Sequence, residues 1–161
     1  MIDSLIERVT ALRNALRSGE IVREVLVDKA EYLVGRQQAQ LWDGKNSSGE
    51  DLHPTYLQDP YFKSQESARR YMAWKGKITP NAKRSPEVPN LYINGKFYDE
   101  LEVRFNKTGI VFDGATAYAR KIVRKYGREQ FGLMRPTWDE IMQDNKTQIM
   151  NRAKEIIYGK N

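Results

Sequence analysis

Few residues in this sequence could support catalysis. His53 is the only histidine, and the chain has no cysteine, so it cannot assemble a histidine-rich metal site, a thiolate nucleophile or a conventional serine triad. Because Pro54 follows it, His53 is predicted to lie in a surface loop. The sequence contains neither the phosphate-binding pattern GxxxxGK[ST] nor the nucleophile pattern GxSxG. We therefore expect no catalytic residue and no cofactor.

Two groups of carboxylates could still take part in chemistry. Glu100 and Glu102, beside Asp99, would share one face of a strand and could hold a hard cation. The same charges suit an edge strand, which they protect from aggregation. Asp139 and Glu140 fall at a predicted helix start, where the helix dipole favours carboxylates without any catalytic role. We expect no metal site and predict a non-enzyme; a metal-dependent nuclease or hydrolase using Glu100 and Glu102 is an alternative.

Basic residues are concentrated in two segments. The chain has a net charge of +6. Residues 63–84 contain seven cations and one anion, and residues 116–135 contain six cations and one anion. The rest of the chain is therefore slightly acidic. Such patches can contact nucleic acid or an acidic protein surface, and they can also be a solvated surface alone.

Aromatic residues are interleaved with the first basic segment. Tyr61, Phe62, Tyr71 and Trp74 lie in it or beside it. Rings mixed with cations are what single-strand binders use for base stacking and phosphate contact. In a helix, Tyr71 and Trp74 would equally suit a buried face. A basic nucleic-acid-binding protein is therefore one functional hypothesis.

Length and composition predict one folded domain, residues 1–161. The chain is 40% hydrophobic and 11% aromatic, which is typical of a globular protein and not of a disordered one. Charges recur every few residues in the first sixteen, so we expect neither a signal peptide nor a membrane span there. We expect synthesis in the cytoplasm and no membrane partner.

Apolar spacing predicts four helices. The first runs from about Leu5 and ends at Gly19, and a longer one covers residues 20–42. A third ends at Gly127. The last begins at Pro136, where a missing N–H costs nothing, and continues to the chain end.

The middle of the chain predicts irregular structure followed by a hairpin. Turn residues and prolines mark residues 43–89 as an irregular, protruding segment with a short helix at 66–75. Alternation over residues 97–105, a turn at 106–109 and a second strand at 110–112 predict an antiparallel hairpin. The fold class is therefore α+β, with helices packed on a small antiparallel sheet, long terminal helices and an extended central excursion.

Three stretches resemble a known family. They are LWDGKNSSGEDLHPTY, NLYINGKFYDELEV and KYGREQFGLMRPTWDEIMQDNKTQIMNRAKEII, within residues 40–56 and 90–158, about half of the chain. They resemble small neck or tail-completion proteins, that is, head-tail connectors, of tailed phages and prophages. The resemblance implies a virion structural protein made in the host cytoplasm, with other neck, portal or tail proteins as partners. It also implies a closed ring of six or twelve copies, which requires two different contact patches on each subunit.

Within such a ring, residues 43–89 are predicted to reach a neighbouring subunit. The predicted anchors for partner contact are Tyr56, Tyr61, Phe62 and Trp74. A second set of cations is predicted to face nucleic acid or the ring lumen, where it would contact DNA without reading sequence. These cations are Arg69, Arg70, Lys75, Lys77, Lys83 and Arg84.

Overall fold

The computed structural model describes residues 2–159 and confirms the α+β class: helices lie at both ends of the chain around one two-stranded antiparallel sheet. In chain order the elements are α1 (Ile2–Arg17), α2 (Glu20–Leu26), a 3₁₀ turn (Val27–Lys29), α3 (Ala30–Trp42), α4 (Gln65–Ile78), α5 (Lys96–Asp99), β1 (Leu101–Asn106), β2 (Gly109–Gly114), α6 (Ala117–Tyr126), α7 (Arg135–Asp144) and α8 (Lys146–Tyr158).

The predicted hairpin is confirmed, although its first strand begins later than expected. Leu101 lies opposite Gly114 and Asn106 opposite Gly109. In the turn, the Asn106 side chain accepts a hydrogen bond from the Gly109 N–H at 2.8 Å. Phe97 and Tyr98 belong to α5, not to the strand. Both are buried, and consecutive side chains reach the same core from a helical turn but not from a strand, where they alternate.

Two helices predicted as continuous are each broken. The 3₁₀ turn Val27–Lys29 separates α2 from α3, and Asn145 separates α7 from α8. The Asn145 amide donates to the Ile141 carbonyl at 2.8 Å, a local bond that competes with the helical ladder. The two breaks lie next to each other in the fold, because the Lys29 ammonium donates hydrogen bonds to the side chains of Asn145 and Gln148.

Two buried glutamines of α3 hold the loop between α6 and α7. The Gln37 amide donates to the Gln130 carbonyl at 2.9 Å. Gln40 donates to the Gly132 carbonyl at 3.0 Å and accepts from the Met134 N–H at 2.8 Å. Because buried peptide groups need partners, these side chains fix the loop between α6 and α7 against α3.

Residues 43–89 are not a protruding segment, so that prediction is wrong. Leu52, Tyr56, Ala68 and Val88 from this segment are all buried. The segment also contains the fourteen-residue helix α4. Apolar side chains spread through the loops pull the segment onto the rest of the molecule, because burying them outweighs solvation of a polar loop.

Gly44 is the tightest backbone position in this segment. Its φ is +71°, and a Cβ atom there would lie 2.6 Å from Val88 Cγ1 and 3.0 Å from the Pro89 carbonyl oxygen. Gly35, on the exposed side of α3, has nothing within 4 Å of the corresponding position. Gly35 therefore serves as the control position for a substitution at Gly44.

We predict that Gly44→Ala lowers the free energy of unfolding by about 1–3 kcal/mol, because it adds both backbone strain and overpacking. Gly35→Ala should raise it by about 0.5–1 kcal/mol through helix propensity. Urea titration followed by tryptophan fluorescence measures both. Equal stability of Gly44→Ala and the parent protein would contradict the close packing described here.

Candidate functional site

A cavity of about 270 Å³ lies between α4 and α6. Helix α4 contributes Tyr71 and Lys75 to its wall, and α6 contributes Tyr118, Ile122 and Tyr126. Cavities that hold drug-sized ligands range from roughly 300 to 1,000 Å³. This one lies just below that range, so it suits a single ring or side chain.

The aromatic residues predicted to contact a partner belong to one ring cluster: Tyr56, Tyr61 and Phe62 line the cavity, and Trp74 packs against Tyr71 without lining it. Ring centroids lie 5.3 Å apart for Tyr61 and Phe62, 5.1 Å for Phe62 and Tyr71, and 5.3 Å for Tyr71 and Trp74. Tyr61 is 78% exposed and Trp74 is 41% exposed, whereas Tyr56 is 5% exposed. Burial raises the pKa of Tyr56. The cluster therefore runs from a buried end to two rings that face solvent.

An ion pair with a buried carboxylate fixes the loop that carries Tyr61. The Asp59 carboxylate is almost wholly buried and pairs with the Lys125 ammonium of α6. The same carboxylate accepts the Tyr61 N–H at 3.0 Å. The ammonium lies 5.5 Å from the Tyr126 ring centre and 6.0 Å from that of Tyr61, within the range of cation–π attraction. Sequence analysis missed this pair, since Asp59 next to a proline resembles an ordinary turn residue.

Lys75 does not face a lumen or nucleic acid, so its predicted placement is wrong. Its side chain is 1% exposed, and its ammonium donates to Asn90 Oδ1 at 2.6 Å and to the Tyr92 carbonyl oxygen. None of the ion pairs within residues 2–159 includes it. Burial, aided by the nearby Arg84 charge, lowers the pKa of Lys75 to about 7.

The Arg84 side chain also bonds within the chain. Its guanidinium donates to the Val88 carbonyl at 2.6 Å and to Thr79 Oγ1 at 3.1 Å, which curls the segment after α4. The other cations predicted to face nucleic acid or a lumen have exposed side chains. They are Arg69, Arg70, Lys77 and Lys83.

The remaining sequence candidates lie apart from one another. Glu100 follows the last residue of α5, where it accepts a hydrogen bond from Thr116, and Glu102 on β1 pairs with Arg104 at 3.3 Å. The two carboxylates therefore do not share a strand face as predicted. His53 is exposed. Within residues 2–159 no group of three histidine or acidic side chains is placed to hold a metal ion.

A second surface lies on α1, where a row of apolar side chains is uncovered. These side chains are 51–75% exposed, and within α1 only Ala15 is buried. We call the row the α1 stripe. It consists of Ile2, Leu5, Ile6, Val9 and Leu16.

No protein-family model matches the chain, and neither a curated protein nor a solved structure matches it. Among the described helices, none combines the length and the apolar character needed to cross a bilayer.

Lys75 gives a pH prediction whose sign follows from its lowered pKa. The folded protein loses this proton near pH 7, whereas the unfolded chain keeps it up to the ordinary value of 10.5. The cost of burying the charge is therefore fully present below pH 7 and falls as the pH rises above 7. The free energy of unfolding should rise by up to about 1.4 kcal/mol per pH unit in that range.

A Lys75→Met variant should lack this component. Urea titrations from about pH 6 to 9.5, below the range in which tyrosines ionise, would compare the two proteins. We expect the stability difference to be constant below pH 7 and to move in favour of the parent protein above it. A difference that is independent of pH throughout would mean that Lys75 keeps an ordinary pKa.

Proposed function

We propose that this protein is a self-associating structural subunit of a tailed-phage particle, in the class of neck or tail-completion proteins. The resemblance of residues 40–56 and 90–158 to that class supports the biological setting. The observation that carries the self-association is the α1 stripe. Adjacent exposed apolar side chains on one helix are characteristic of surfaces that another protein covers.

The size of the stripe agrees with a contact between subunits of an assembly. Fully burying one such side chain contributes about 1.5–3 kcal/mol, so covering the exposed halves of five contributes on the order of 5 kcal/mol. Association itself costs at least about 4 kcal/mol in lost translational and rotational freedom. The stripe alone therefore supports weak, concentration-dependent association, which further contacts in a particle would strengthen.

A ring adds a requirement on the partner of the stripe. In a closed ring, the stripe of one copy meets a different patch on the next copy, because each interface joins two unlike surfaces. Residues 43–89 are integrated into the fold, so we assign neighbour contact to a rigid helix and not to a flexible arm. A pre-ordered surface loses less conformational entropy on docking.

We predict that the apparent mass of the parent protein rises with concentration in sedimentation velocity experiments. Leu5→Glu/Val9→Glu should remain monomeric because it places two charges on the stripe. Thr10→Glu/Asn14→Glu adds the same charge to exposed positions on the neighbouring side of α1 and should associate like the parent. A parent protein that stays monomeric at its highest soluble concentration would contradict self-association.

The setting in a particle needs a separate measurement. Phage particles induced from a strain that encodes this chain, purified by density gradient and analysed by mass spectrometry, should contain its peptides in a fixed ratio to other structural proteins. Intact tailed particles without these peptides would exclude the virion role, and they would leave self-association to be judged by sedimentation.

A further inference from the structure

We propose that the α1 stripe of one copy docks into the cavity between α4 and α6 of a second copy of this chain. This inference rests on the self-association proposed above and deepens it, because it names the surface that the stripe contacts. The cavity is a concave apolar surface, and the stripe is a convex one. Contact between them joins two different surfaces of the subunit, as a closed ring requires.

The mouth of the cavity is apolar and exposed. Three of the residues that line the cavity face solvent: Tyr61 is 78% exposed, Ile93 is 49% exposed and Tyr118 is 41% exposed. Aromatic residues are enriched at protein interfaces, because a ring buries a large area at a small cost in conformational entropy. The mouth and the cavity therefore form one apolar surface that suits a protein partner.

The charged groups of the cavity favour an uncharged guest. Lys125 is paired with Asp59, and Lys75 donates hydrogen bonds to Asn90 and to the Tyr92 carbonyl. A charged guest would lose its hydration on entry and would find each of these groups already bonded. An apolar side chain leaves all of these bonds in place.

The volume of the cavity fits side chains of the stripe. An apolar cavity of about 150 Å³ binds benzene, which is larger than a leucine side chain. The cavity between α4 and α6 holds about 270 Å³. Leu5 and Val9 lie four residues apart, so they project from the same face of α1 and can enter together.

The charges beside the two surfaces are complementary. Next to the stripe, Asp3 and Glu7 are exposed, and neither forms an ion pair within residues 2–159. The cation beside them, Arg8, donates to a carbonyl of α8 at 3.0 Å. Helix α6 carries four cations and no anion. Of these, Lys121 follows the cavity-lining Tyr118 by three residues, so the two side chains are neighbours on α6. A stripe whose first turns lie along α6 would bring these opposite charges together.

The stripe and the cavity lie on different parts of the subunit, so one copy can use both at once. Helix α1 packs on α2 and α8, and neither of these helices contributes a residue to the cavity wall. Among the described residues, those of the stripe do not line the cavity either. Each subunit can therefore offer its stripe to one neighbour and its cavity to another.

Face-to-face pairing of two stripes is the competing arrangement. It would also cover the stripe, but it would leave the rings at the mouth of the cavity in water. It would also end at a dimer, because a two-fold contact is closed. The two arrangements therefore predict different results for variants of the cavity.

Sedimentation velocity of a cavity variant and a control variant tests the assignment. Ile93→Glu/Tyr118→Glu should weaken self-association at least about tenfold, because it forces unpaired carboxylates into the contact. Val27→Glu/Met150→Glu adds the same charge at two side chains that are each 48% exposed and that belong neither to the stripe nor to the cavity. This control should associate like the parent.

A mixture of two defective variants distinguishes an unlike contact from a like one. Leu5→Glu/Val9→Glu keeps an intact cavity, and Ile93→Glu/Tyr118→Glu keeps an intact stripe. Each variant alone should be monomeric. Their equimolar mixture should form a species of two subunits and nothing larger, because each pair has one intact interface. Urea titration of each variant checks that it is folded before mixing.

The results that contradict the two proposals are distinct. If the folded cavity variant associates like the parent, or if the mixture of folded variants stays monomeric, the stripe does not dock into the cavity, although self-association stands. A parent protein that is monomeric at every concentration would overturn self-association and this inference with it.

Discussion

One buried asparagine joins α4, which forms one wall of the cavity, to two other helices. Asn90 is completely buried, and its Oδ1 accepts a hydrogen bond from the Lys75 ammonium at 2.6 Å. Its amide nitrogen lies 3.4 Å from the carbonyl oxygen of Trp42, the last residue of α3. Its backbone carbonyl accepts the Tyr98 hydroxyl hydrogen at 2.7 Å. A single residue thus links α3, α4 and α5. In a low-dielectric interior, each of these bonds is stronger than it would be in water, and each is costly to leave unmade.

The candidate site depends on this network through the orientation of α4. Lys75 is held by Asn90 and by the Tyr92 carbonyl. Tyr71 lies four residues earlier on the same face of α4, so it is placed against the cavity. The neighbouring residue, Trp74, is then directed toward solvent. A lysine suits this position because burial brings its pKa close to neutrality, so the amine can donate hydrogen bonds without carrying a full buried charge at physiological pH. The network therefore fixes where the rings of α4 lie.

The sequence predicted the elements whose signals are local. The hairpin turn at Asn106 and the end of α6 at Gly127 were both predicted, because each depends on the chemistry of a few adjacent residues. The breaks at Val27–Lys29 and Asn145 were not predicted. Neither contains proline or glycine, and they are joined by contacts more than a hundred residues apart in the chain. Such contacts have no local signature.

The candidate site was predicted in part. The exposed rings Tyr61 and Trp74 were identified, but Lys75 was assigned to the surface because it lies in a basic segment. Its spacing from Ala68 and Tyr71 already placed it on the apolar face of α4. Periodicity was therefore a better guide to its position than charge, since a helix fixes which residues face the core, whatever their type.

The α1 stripe and the exposed basic side chains of α4 and α6 differ in their physics. The α1 stripe is apolar, so its association should be insensitive to salt or slightly strengthened by it. The exposed cations of α4 and α6 are charged, so contacts made through them would weaken as the Debye length shortens. Salt would thus separate association through the stripe from any contact made through these cations.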